Sequence, residues 1–138
     1  MEAIQNYKSF NSNKSIEELQ YNILKNIMRL ENLKLELEFY LTLIDKPIFK
    51  NNMMNLYERL ANFKSEMKDI DKNRVALLND SYKHNNHISN KIECDDVACD
   101  NFFIKQQDAI ELKTFNFHKT ISDFKFRLFQ YLESVFIN

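Results

Sequence analysis

Apolar residues recur at intervals of three and four along three long stretches of this 138-residue chain, and polar segments separate the stretches. In the first, Ile16, Ile23, Leu30, Leu37 and Ile44 fall at every seventh position. Ile27 and Leu41 hold the alternate position, Gln20 and Lys34 interrupt it, and Leu19 and Leu33 widen the face. A period of about 3.5 residues is the heptad seam of helices that pack along their length. Ser15 precedes this run and Glu18 follows it by three, the spacing of a capping box that opens a helix. Pro47 pushes its predecessor out of the α region. The pattern therefore predicts a first helix over 16–44.

The second seam reads Phe49, Met53, Leu56, Leu60, Phe63, Met67, Ile70, Arg74, Leu77. Its only charged member, Arg74, can lay an aliphatic stem along the seam while its head reaches water. Proline is well tolerated in a first helical turn, where its missing N–H costs nothing, so Pro47 predicts a second helix over 48–82. The third seam is Phe103, Ile110, Phe117, Ile121, Phe124, Leu128, Tyr131 and Val135, with Gln107 and Thr114 as polar breaks. It predicts a helix over 97–136, with Asp95 or Asp96 as its cap. Residues 1–14 read as a flexible arm and 83–96 as a connector. The expected fold is a single all-α domain over 15–138, an elongated antiparallel up-down-up bundle of three long helices with coiled-coil-like heptad packing.

Composition sharpens this picture chiefly through one absence: the chain has no glycine. Phosphate-binding loops and dinucleotide folds need glycine for close backbone approach, and Ca²⁺ loops need it for a sharp turn. Tight β-hairpins need residues that accept positive φ. Helices joined by asparagine-rich turns escape all these demands. The net charge is −1 and the two signs alternate along the chain, so nucleic acid is not an expected partner. The run from Phe39 to Ile44 is far short of the ~20 apolar residues a bilayer span needs, so no membrane is expected either. The first residues lack a basic and an apolar region of the kind that directs export, and with two cysteines they point to a reducing, cytoplasmic setting.

Two features are candidates for function. The third helix carries a second apolar row, Ile104, Phe115, Phe126 and Ile137, repeating every eleven residues and flanked by Leu112 and Phe129. The first helix carries a comparable row in Leu24, Met28, Leu35 and Phe39, which a three-helix bundle can absorb as a broad packing face. The row on the third helix lies too far around the cylinder for that. It is expected to meet a second copy of the chain, giving a homodimer, or an unidentified protein partner. The other feature is a cluster of soft ligands, His84, His87, Cys94 and Cys99, within sixteen residues. Imidazoles and thiolates are zinc's preferred donors, so the alternative function is a metal-binding or metal-sensing protein with zinc in the connector. The spacing H-x2-H-x6-C-x4-C lacks the paired cysteines of a zinc knuckle, and two exposed histidines with two semi-buried cysteines is the competing reading.

Catalytic signatures are not found. The bundle-borne di-iron site requires Glu-x-x-His pairs, and none occurs. His118, inside the third helix, reads as a flank to the Phe117 seam. Scattered serines, histidines and acids do not make a triad. An enzyme whose site forms only in an assembled dimer stays open as a third reading.

The stretch Leu35-Glu36-Leu37-Glu38-Phe39-Tyr40, the seam of the second helix, and Phe103-Ile104-Lys105-Gln106-Gln107 resemble uncharacterised helical proteins of the Bacteroidetes. That resemblance implies long heptad-patterned helices and carries no activity, cofactor or site residue. The expected function is a non-enzymatic interaction or scaffolding bundle that self-associates through the third helix and uses no cofactor.

Overall fold

The computed structural model describes residues 6–90 and 97–137, with side chains on the third helix from Asp100 onward. It contains three helices, α1 (Ile16–Ile44), α2 (Leu56–Ser89) and α3 (Val97–Val135). No strand forms among the described residues, apart from one isolated antiparallel bridge between Phe49 and Phe136.

Helix α1 begins and ends where its sequence signals place it. The Ser15 hydroxyl accepts from the Glu18 N–H at 3.2 Å, and the Glu18 carboxylate accepts from the Ser15 N–H at 3.3 Å. Two backbone donors that the first turn leaves without partners are thereby satisfied.

Helix α2 departs from expectation at both ends. It begins at Leu56, not at residue 48, and Pro47 lies in the preceding loop. The reason is a tertiary contact. Segment 48–50 runs extended beside the exit of α3: the Ile137 N–H donates to the Ile48 carbonyl at 2.9 Å and the Lys50 N–H donates to the Val135 carbonyl at 2.8 Å. The rings of Phe49 and Phe136 stack with centroids 5.9 Å apart. Phe49 is thus buried by this pairing and not by a helical seam, while Met53 sits partly exposed in the loop. The chain re-enters the helix through Asn55 at φ 60°, a left-handed conformation that asparagine tolerates better than most residues.

At its other end α2 runs to Ser89, beyond the expected 82. Ser81, His84 and Ile88 are all buried and continue the four-three-four spacing past Leu77. His84 and His87 therefore stand on a helix and not in a connector. In α3 the seam shifts by one residue near its end: Leu132 is buried where Tyr131 was expected, and Tyr131 turns sideways to pack on Phe63 and under Arg59.

Two clusters of buried side chains fix the topology. One gathers Leu19, Ile23 and Ile27 from the start of α1, Ile88 from the end of α2, and Phe103 and Ile110 from the start of α3. The other joins Tyr40 and Ile44 to Leu56, Leu60, Leu132 and Val135. This alternation is that of an antiparallel up-down-up bundle. At ~1.5 Å per residue the helices are roughly 44 to 58 Å long.

Residues 6–14, expected as a loose arm, lie against α3. The Asn11 side chain is buried and donates to Asp108 at 2.7 Å and to Glu111. The Ser9 hydroxyl donates to Asp108, and the Tyr7 ring packs 6.0 Å from Phe115. Polar side chains on the arm find two half-buried carboxylates one turn apart on α3, and the aromatic at Phe115 supplies the apolar contact.

Candidate functional surface

The row expected on the third helix is divided by the fold. Ile104 is half-buried against the cluster of Leu19, Ile23 and Phe103. Phe115 is half-buried beneath Tyr7, with the Lys119 ammonium 5.6 Å from its ring centroid. Phe126 and Ile137 remain 47% and 58% exposed, and Phe129 near them and Leu112 further up the helix are comparably open. Half of the row thus serves this chain's own packing.

The larger open surface is on α1, where the sequence suggested internal packing. Leu24, Met28, Leu35 and Phe39 are between 47% and 68% exposed, so they are not absorbed by the neighbouring helices. Tyr21, 67% exposed, extends the row by one turn. At about 100° per residue these five side chains occupy roughly 60° of arc, and that arc lies about 180° from the α1 residues in the core. Helix α1 is therefore apolar on two opposite faces. The signal was present in the heptad: Tyr21, Met28 and Leu35 each fall five residues after Ile16, Ile23 and Leu30, at the position turned away from the seam, where a surface helix carries charge.

The α1 face joins the open part of α3 through rings. Phe39 and Tyr40 lie edge to face at 6.2 Å, and Tyr40 and Phe129 at 5.5 Å. Phe126 follows one turn from Phe129 on α3. An ion pair between Lys125 and Glu36 at 2.6 Å pins the two helices beside this bridge. Burial pushes the Tyr40 hydroxyl up well beyond its usual range, reinforced by its donation to Glu36. Glu36 is held below the ordinary carboxylate value: burial opposes this, and hydrogen bonds from Lys125 and Tyr40 outweigh it.

Of the four soft ligands, His84 is buried, with Nε2 2.6 Å from the Gln107 side-chain oxygen. His87 is exposed on the next turn of α2. Cys94 lies outside the described residues, as does the side chain of Cys99. Among the described residues no three His, Cys, Asp or Glu side chains converge in a way that suits a metal ion.

A buried polar ladder runs through the core, and its signal in the sequence was the polar breaks at the seam positions Arg74, Gln107 and Thr114. Gln107 donates to the Leu19 carbonyl at 3.3 Å, which turns its oxygen toward His84 and places the imidazole proton on Nε2. About two turns further along α1 and α3, Asn26 reaches Thr114 at 3.3 Å and Ser81 at 3.5 Å. Further along, the Arg74 guanidinium donates to the Leu30 carbonyl at 3.2 Å and to Asp71 at 2.8 Å. Burial pulls the His84 imidazole below its usual value, more strongly than the Gln107 hydrogen bond lifts it. Burial acts likewise on His118, which lies half-buried near Arg29 and Lys125.

An open cleft of about 390 Å³ lies between the 45–55 loop and the end of α3, lined by Pro47, Phe49, Tyr57 and Ile137 and bordered by the Lys64–Asp45 ion pair. Among the described residues no helix is long and apolar enough to cross a membrane. No family model, curated protein or solved structure matches this chain.

Proposed function

We propose that this chain is a non-enzymatic interaction or scaffolding bundle of the cytoplasm, and that it acts by associating with a second copy of itself. The observation that carries this reading is the row of exposed apolar side chains along the outer face of α1, Tyr21, Leu24, Met28, Leu35 and Phe39, with Phe126 and Phe129 also open on α3. Large apolar side chains left in water each forgo roughly 1.5–3 kcal/mol of burial, and contiguous ones mark association sites. The expected interface on α3 narrows to Phe126 and Ile137, because Ile104 and Phe115 are occupied within the chain.

Sedimentation velocity of the untagged protein at tens of micromolar tests the reading. A dimer is expected. A sharp monomer boundary, unchanged on concentration, would refute it.

A further inference from the structure

We infer that the outer face of α1 is covered by the same face of a second copy, with the two α1 helices antiparallel and related by a two-fold axis near Glu31 and Asn32. This inference rests on the self-association proposed above and specifies where and how the copies meet.

Spacing is the first argument. Leu24, Met28, Leu35 and Phe39 are separated by four, seven and four residues, a palindrome about the midpoint between Glu31 and Asn32. Antiparallel pairing about that midpoint brings Leu24 of one copy level with Phe39 of the other, and Met28 level with Leu35. Every large apolar side chain of the four meets another. An isologous interface requires this self-complementarity, and an arbitrary apolar row does not have it.

Area is the second argument. Aromatic side chains carry roughly 150–250 Å² each, and at the observed exposures the α1 face presents on the order of 600 Å² per copy. Pairing two such faces removes about 1,200 Å² from water, above the ~1,000 Å² that a specific interface needs.

Charge is the third. Glu31, Glu36, Glu38 and Lys25, which border the row, are engaged to the side. Glu31 accepts from the Tyr82 hydroxyl on α2, Glu36 pairs with Lys125 on α3, and Glu38 pairs with Lys34 at 3.9 Å. The Lys25 ammonium lies 5.7 Å from the centroid of the Tyr21 ring. Drawing Glu31 toward α2 relieves the like-charge contact that the two-fold axis would otherwise create between the two Glu31 side chains. Asn32, exposed on the opposite flank, comes beside its own copy, where two carboxamides can exchange hydrogen bonds. A polar pair of this kind sets register in helical interfaces.

Two measurements test the inference. In sedimentation velocity, Met28→Glu with Leu35→Glu is expected to give a monomer of unchanged helicity, since both positions are exposed in the single chain, while Phe126→Glu weakens the dimer less than tenfold. A monomeric wild type overturns both this inference and the proposed function. A dimer that survives the α1 substitutions but is lost on Phe126→Glu overturns this inference and leaves self-association standing. Spin labels at Tyr21→Cys, in a background with Cys94→Ser and Cys99→Ser, report orientation. At ~1.5 Å per residue the antiparallel pair separates the two labelled positions by about 31 Å along the helix axis. A label distance below ~15 Å would mean a parallel pair, at the side-by-side spacing of packed helices, and would overturn the register.

Discussion

His84 and Gln107 meet across the α2–α3 contact at 2.6 Å, both buried, and the carboxamide hands the link on to the Leu19 carbonyl of α1. One short polar chain thereby touches all three helices near the end where the 91–96 segment joins α2 to α3. Buried polar groups linked in this way cost little while complete and much when one member is removed.

Protonation of His84 would place a charge in this chain, because among the described residues Nδ1 meets no donor or acceptor and is enclosed. Its affinity for protons is lowered in the folded state, so the unfolded chain binds more protons as pH falls. Stability contributed by the neutral ring is complete above the unfolded value near 6.5 and declines as pH drops below it toward the folded value. His118 acts in the same direction. Thermal melts from pH 7.5 to 5.5 are expected to show a falling Tm, with a shallower slope in His84→Gln and a still shallower one when His118→Gln is added. A slope unaltered by both changes would contradict this account.

Gln107→Leu is expected to destabilise by about 2 kcal/mol, since it strands His84 Nε2–H in an apolar setting. The double variant His84→Leu, Gln107→Leu removes both partners and is expected to recover most of that loss. Urea denaturation of the four members of this cycle measures the coupling directly.

Phe49→Ala removes a buried ring stacked on Phe136 and is expected to cost about 3 kcal/mol. Because Phe49 lies outside α2, helical content measured by circular dichroism at low temperature should be nearly unchanged. A marked loss of helicity would indicate that this loop segment is helical after all.

Asn11→Ala leaves Asp108 and Glu111 without their shared donor and is expected to destabilise by about 1 kcal/mol. The telling readout is hydrogen exchange, which should accelerate in residues 6–14 and leave the seams of α1 and α2 unaffected. Uniform acceleration across the bundle would instead mean that the arm contributes to global stability.

Arg74→Met is expected to change stability by less than ~1.5 kcal/mol, whereas Arg74→Ala should cost more. The long stem fills the seam between Ile70 and Leu77, and methionine preserves that volume. The lost hydrogen bond to the Leu30 carbonyl matters less, because that carbonyl lies within a helix. Chemical denaturation of both variants distinguishes packing from charge.

The heptads determined the all-α class and the three helices, because a seam of period 3.5 has to be buried along its whole length wherever the helices sit, and the short connections between the seams pointed to the antiparallel order. Ser15 and Glu18 determined where α1 starts, since a capping box is satisfied within four residues. Other features were decided only by contacts between distant parts of the chain. Pro47 does not open α2, because Phe49 finds Phe136 some 87 residues away and the backbone pairing there outweighs local helix preference. His84 is a core residue and not a loop residue, because Gln107 arrives from α3 to satisfy it. The two second rows looked alike in sequence, yet the arm and Leu19's cluster cover half of the α3 row, while among the described residues none covers that of α1. Periodicity specifies which faces of a helix are apolar; which of those faces is left over depends on how many neighbours the folded chain places around it.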